Sequence, residues 1–389
     1  MSGKVAIVGA AETDRLGKLP HLSRLGLHAE AARNALRDAG IAMKDVDGIF
    51  SSVADPNELS EYFGIVPRYV DGLSVGGCSA IIQVRHAAAA IAAGYCSVAL
   101  IVHGESGRSW IDMERGGTAE SPAGQFEAPY GAAGAATLFA LPVLRHFHEF
   151  GTTKLQMAHV PAATRAWALL NPKAMMHDAG PITPEDVLAS RVVCWPFNLL
   201  DCCLVADGGG ALVLVAAERA RDFPKPPVWV IGTGEGSAHR QVAMMRDFTT
   251  SDSTVVSARQ AFAEAGVTAA DFRHLMFYDA FSFTPMMFLE DLGFCGKGES
   301  GPFVAQTTRD AEGRVVYHTG PGGPLPMNTN GGGLSHVHTG RYGMFALIEA
   351  VTQLRGEAGA RQVRDLNLSL VHGPGRHFAA AGTVVLSNR

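Results

Sequence analysis

Hydrophobic positions along the chain fall into two kinds of segment. One kind is short, continuous and rich in Val, Ile and Leu, at 5–9, 98–104, 208–215, 228–232, 367–373 and 379–386. Runs of that length and make-up predict strands covered on both faces. The other kind spaces its apolar residues with a helical period, at 32–41, 79–93, 258–267 and 341–355. In the second of these, Ala87 to Ala90, Ile91, Ala92 and Ala93 leave almost no polar face. A helix that is apolar all round belongs between layers rather than at the surface. Alternating strands and helices of this kind predict an α/β fold.

The pattern occurs twice. Ala32-Arg33-Asn34-Ala35-Leu36-Arg37-Asp38-Ala39-Gly40-Ile41 recurs as Ala258-Arg259-Gln260-Ala261-Phe262-Ala263-Glu264-Ala265-Gly266-Val267, an offset of 226 (258 − 32), each with a glycine at the helix stop. The apolar strand before each ends in Gly9 and Gly232, an offset of 223 (232 − 9). Residues 98–104 match 367–373, and 208–215 match 379–386. Four matches in the same order predict two fused copies of one α/β unit, 1–225 and 226–389. The expected architecture is five stacked layers, α-β-α-β-α, with the buried helices at 79–93 and 341–355 in the middle. An insertion of about 105–195 in the first copy has no counterpart in the second and carries amphipathic helices near 134–150 and 154–170. Insertions on a rigid scaffold commonly shape a binding site.

Composition narrows the function classes. The chain has 389 residues, 47% hydrophobic and 18% charged, with a net charge of −5. No polybasic stretch suits nucleic acid, and no apolar run is long enough to span a bilayer. Met1 leads directly into a strand without a signal-type apolar segment, so the expected location is cytoplasmic. Six cysteines show neither Cys-x-x-Cys pairs nor histidines at metal-ligand spacing, so no metal and no disulfide framework are expected.

Candidate chemistry sits at the starts of the two interior helices. Gly76-Gly77-Cys78-Ser79 opens the first. Free backbone donors and the positive dipole end there favour a thiolate at Cys78 and offer N–H groups to an oxyanion. A small structural residue at a crowded helix start explains the same pattern. Gly331-Gly332-Gly333-Leu334-Ser335-His336-Val337-His338 lies at the equivalent point of the second copy and makes His338 an acid–base or oxyanion candidate. His336 reads as a capping residue. His372-Gly373-Pro374-Gly375 ends a strand in a Gly-rich turn that exposes N–H groups, with His372 a further candidate base. Asp279 suits holding a loop or orienting a water, and Tyr342 donating a proton. Packing roles explain both equally well.

Taken together these residues resemble the thiolase superfamily, in particular the sterol-carrier-protein-type thiolases and related bacterial lipid-transfer proteins. The resemblance covers nearly the whole chain. Its anchors are Cys78, Asp207-Gly208-Gly209-Gly210-Ala211, Tyr278-Asp279-Ala280-Phe281, Asn328-Thr329-Asn330-Gly331-Gly332-Gly333 leading to His338, and His372-Gly373-Pro374-Gly375. It implies a homodimer or homotetramer with coenzyme A as substrate and carrier and no other cofactor. It also implies an acetyl-CoA acyltransferase-type reaction on a 3-ketoacyl-CoA through an acyl-enzyme. Cys78 would be the nucleophile, His338 an oxyanion donor, and the N–H groups of Cys78 and Gly375 a second oxyanion site, with Gly373, Asn330 and Asp279 on the substrate side.

The chain departs from that pattern in three ways. The family spacing from cysteine to the glycine ending the helix is one residue longer than the 16 here (94 − 78), so an ungapped match sets Gly77 at the nucleophile position. Ala280 and His372 stand where the family carries its proton-shuttle cysteine, and His338-Thr339 replaces His-Pro. Without those cysteines the scaffold is also similar to steroid side-chain aldolases. These cleave a 3-hydroxyacyl-CoA without a covalent intermediate, rely on tyrosines (Tyr342 here), and associate with a small zinc-ribbon/OB-fold protein. A non-catalytic acyl-CoA-binding subunit is the third reading.

Overall fold

The computed structural model describes residues 2–111, 119–132 and 134–389. Part of the predicted insertion, 112–118 and 133, therefore lies outside the described residues. Nine strands form one mixed sheet. They are β1 (Val5–Glu12), β2 (Gly48–Ser51), β3 (Tyr69–Asp71), β4 (Val98–Ser106), β5 (Asp207–Ala216), β6 (Val228–Ser237), β7 (Leu275–Phe277), β8 (Leu368–Gly375) and β9 (Ala380–Ser387). Their spatial order is β3-β2-β4-β5-β1-β6-β9-β8-β7.

The order β2-β4-β5-β1 has its counterpart in β7-β8-β9-β6. In each, the first pair is parallel and the next two pairs are antiparallel. The two runs meet edge to edge where β1 pairs antiparallel with β6 over Val5↔Val230, Ala6↔Trp229 and Ile7↔Val228. This seam has no signature in the sequence, because pairing partners depend on how the two copies approach.

Helix α1 (Arg24–Ala39) packs on β1, β4 and β5. The repeat segment that matches it lies in Asp252–Ala265, which packs on β6 and β9. Close approach is possible because a Cβ on Gly9 would stand 2.4 Å from the Ala35 carbonyl oxygen, and one on Gly232 would stand 2.3 Å from that of Ala261. Only glycine leaves room there, so the two glycines at the ends of the repeated apolar runs let each outer helix lie down on its strand. Helix α2 (Ser79–Ala92) and the helix Gly343–Leu354 touch each other and strands of both halves, forming the middle layer. The second of these, GMFALIEAVTQL, is buried nearly throughout; its buried polar side chains Glu349 and Gln353 are paired with each other, and Glu349 also with Arg361. The inserted stretch, between β4 and β5 in the chain, folds into Ala135–Phe150, His159–Ala168 and shorter pieces. Among the described residues no helix is long and apolar enough to cross a membrane.

Candidate active site

Four loops converge on a cavity of about 210 Å³. Gly76 and Gly77 precede α2, and Tyr278, Ala280 and Phe281 follow β7. His338, Gly340 and Arg341 precede the second interior helix, while Pro374 comes from the end of β8 and Arg376 and His377 from the β8–β9 turn. Ala135 and Phe139 of the insertion, with Cys203 just before β5, supply a further wall. The location follows a general rule for α/β sheets, in which ligands bind outside the carboxyl ends of parallel strands; β7 and β8 are parallel neighbours. A larger cavity of about 490 Å³ lies in the insertion between Leu138, Leu141, Leu144 and Trp195. Its walls are mainly apolar and bring together no comparable set of polar groups.

The chemical centre is a phenol–imidazole pair. Tyr278 Oη lies 2.8 Å from His338 Nε2 and 3.4 Å from the Gly340 carbonyl oxygen. The Gly340 N–H donates to His338 Nδ1 at 3.3 Å, which assigns the ring proton to Nε2, facing the phenol. Burial lowers the His338 imidazole to about 4, so it is neutral at pH 7. Burial first, then the charges of Cys203 and Glu105, raises Tyr278 well above the ordinary phenol range. The resting pair is therefore uncharged. Tyr342 stands edge-on to the Tyr278 ring, 5.7 Å between centroids, and limits its movement.

Two buried carboxyls support the pair from behind. Asp279 accepts from the Gly333 N–H at 2.6 Å and so fixes the turn Gly332–His336 that leads to His338. Burial raises its acid to about 7. Glu105, at the end of β4, is 5% exposed. Its Oε1 lies 3.8 Å from Arg341 Nε and its Oε2 lies 3.7 Å from His103 Nε2. Burial raises it to about 7 against the opposing charge of Arg341.

Of the eight residues singled out from the sequence, the described cavity wall includes His338 alone. Cys78 is fully buried among Ile82, Ala380, Leu73 and Val75, and burial pushes its thiol up to about 12. Its sulfur faces Gly375, where a Cβ would stand 2.8 Å away. The expected convergence of Cys78 and His338 is thus not met. The residue that faces the cavity at this helix start is Gly77, and a Cβ there would lie 2.3 Å from the Tyr278 ring. Neighbouring positions at a helix start point in different directions, so one residue of register exchanges a thiol for a bare backbone.

Tyr342 is buried behind Tyr278 and donates to Asn330 Oδ1 at 2.7 Å; the same oxygen accepts the Gly332 N–H at 2.8 Å. His372 lies between Thr383 Oγ1 at 2.9 Å and Thr254 Oγ1 at 3.3 Å, and burial lowers it to about 3. It faces the outer helices, because side chains alternate along β8. A Cβ on the adjacent Gly373 would instead meet Tyr278 Cβ at 2.8 Å. Sequence reasoning did not single out Tyr278 as a candidate site residue, nor Arg341, Arg376, His377 and Cys203, all of which line the cavity. Tyr278 carried one usable signal: it is the first residue after a parallel strand.

The comparisons agree with this scaffold. A family profile described as thiolase C-terminal domain-like matches residues 234–388. The 17-hydroxy-3-oxo-4-pregnene-20-carboxyl-CoA lyase of Mycobacterium tuberculosis is 34% identical over 92% of this chain and 92% of its own. An acetyl-CoA acetyltransferase of Methanothermobacter thermautotrophicus is 30% identical over 98% and 99%. Among solved structures, the Ltp2-ChsH2(DUF35) aldolase superposes with a TM-score of 0.89 at 31% identity, covering 99% of this chain and 98% of that one.

Proposed function

This chain belongs to the thiolase superfamily, in its sterol-carrier-protein-type branch, and on that premise we propose that it is a CoA-thioester aldolase that works without a covalent cysteine. The observation that carries the reading is the exchange at the helix start: the cavity meets Gly77 and the Tyr278–His338 pair, while the Cys78 sulfur is packed away from it. Cys203 does touch the cavity, but burial raises its thiol far above the range in which a thiolate forms near neutral pH.

In the proposed reaction the β-hydroxyl of a 3-hydroxyacyl-CoA gives up its proton and the Cα–Cβ bond breaks. A ketone or aldehyde leaves, and the electron pair passes into the thioester enolate, which is then protonated at Cα. No bond to the protein forms. Tyr278 relays the proton: its oxygen takes it from the substrate hydroxyl as its own phenolic proton goes on to Cα, and the His338 Nε2–H, 2.8 Å away, donates to the phenol oxygen and holds it in place. Arg341 and Arg376 add positive charge to the wall, which favours an enolate over the neutral ground state.

The test is product analysis on a panel of 3-hydroxyacyl-CoA and 3-ketoacyl-CoA thioesters. The aldolase reading expects a free carbonyl compound plus a shortened acyl-CoA, with no requirement for added CoA. Turnover of 3-ketoacyl-CoA that depends on free CoA would replace it with the acyltransferase reading. The likeness to the Ltp2-ChsH2(DUF35) aldolase extends the proposal to a small protein partner of the DUF35 kind. Its addition is expected to raise turnover. A homodimer or homotetramer is proposed alongside, checked by light scattering.

A further inference from the structure

A second cavity, of about 270 Å³, adjoins the first through Cys203, which lines both. Met176, Leu199, Leu204 and Leu334 make it apolar. Into this wall comes one charged side chain, Arg165 of the helix His159–Ala168, which is only 5% exposed. Its guanidinium donates to Ser335 Oγ at 3.0 Å and to the Gly180 carbonyl oxygen at 3.3 Å. Among the described residues no carboxylate lies within ion-pair distance of it. A buried guanidinium ordinarily sits opposite an acid, because taking the charge out of water is costly unless an anion joins it. Two neutral acceptors do not neutralise it, and the planar fork keeps donors for a bidentate acid.

We infer that this cavity is a subsite for a carboxylate borne on an apolar chain, with Arg165 as its counter-ion. A single positive charge among aliphatic walls suits a monoanion with a hydrocarbon body and not a phosphate dianion. Two sources share that chemistry: the far end of an acyl thioester whose reacting carbons lie in the first cavity, and a free carboxylic acid. The first source rests on the proposed reading of the neighbouring site; the subsite itself does not.

The experiment uses octanoate as the probe and the full chain, by titration calorimetry. Octanoate is expected to bind the wild type and to weaken by about tenfold or more in Arg165→Met, with Arg165→Lys recovering part of the loss. Leu199 is 48% exposed at the rim, so Leu199→Trp is expected to fold and to block the cavity. It decides the matter if Arg165→Met does not fold. Octanedioyl-CoA bound about tenfold more tightly than octanoyl-CoA, with the preference lost in Arg165→Met, identifies the acyl end as the source. Octanoate binding that octanoyl-CoA does not displace identifies a free acid. Octanoate that fails to bind, or binds all variants alike, overturns the inference. Tyr278→Phe is expected to retain octanoate binding, so failure of the aldolase chemistry and failure of the subsite are read separately.

Discussion

Replacing Tyr278 by phenylalanine removes one oxygen and little else. The ring keeps its edge-on packing against His338 and Tyr342, at centroid distances of 5.5 Å and 5.7 Å, so no cavity opens. The loss is the 2.8 Å hydrogen bond, which leaves His338 Nε2 buried without a partner. An unsatisfied buried polar group costs about 1–3 kcal/mol, which a domain of ordinary stability tolerates. The chemical loss is larger. A positioned acid–base group contributes roughly 10²–10⁴-fold, or about 3–5 kcal/mol of barrier. Tyr278→Phe is therefore expected to fold, to bind acyl-CoA with near-unchanged affinity and to lose kcat by that factor. The assay is release of the carbonyl product from the 3-hydroxyacyl-CoA that the wild type turns over best, beside a urea unfolding curve. A folded Tyr278→Phe variant with more than a tenth of wild-type kcat would refute the proton-transfer role.

Three further outcomes follow from the same geometry. Cys78→Ala is expected to retain full turnover and to show no acyl adduct by mass spectrometry, at a stability cost of about 1 kcal/mol for the lost buried sulfur. Gly77→Ala would bring a Cβ to 2.3 Å from the Tyr278 ring. A displacement of about 1 Å at a reacting group costs on the order of 10²-fold, so kcat should fall by about that much while the circular dichroism spectrum stays native. Glu105 binds its proton more tightly folded, at about 7, than at the ordinary value of 4.5. Stability therefore declines as pH rises from 4.5 to 7, a span worth up to about 3 kcal/mol. Glu105→Gln should flatten that decline and be the more stable protein at pH 8, with no advantage at pH 4, as read from urea midpoints across the range.

Much of the fold was legible without coordinates because it depends on local periodicity. The apolar runs ending in Gly9 and Gly232, and the helices matched from Ala32 and Ala258, announced a duplication, and the strand orders of the two halves repeat it. The run Ala87–Ala93, which leaves almost no polar face, pointed to an interior helix, and Ser79–Ala92 lies in the middle layer. His338 was legible for a related reason, since a Gly-rich turn before an interior helix advertises a site. Three other choices depended on direction rather than residue type. Cys78 and Gly77 differ by one step of a helix start, His372 and Gly373 by one step of a strand, and Tyr342 and Tyr278 by which of two edge-to-face rings stands in front. Backbone direction and packing decide which member of each pair faces the cavity or the Tyr278 that lines it.

The sequence by itself determined the layered architecture, the repeat and the neighbourhood of the chemistry, because burial patterns and glycine clearances are written residue by residue. The tertiary structure alone decided that the interior helix offers a bare glycine to the cavity and turns its thiol into the core. It likewise decided that Tyr278 meets His338 and that the guanidinium of Arg165 stands in an apolar pocket with no acid beside it among the described residues. Those facts arise where segments far apart in the chain come within a few ångströms, and no local pattern encodes the distance between them.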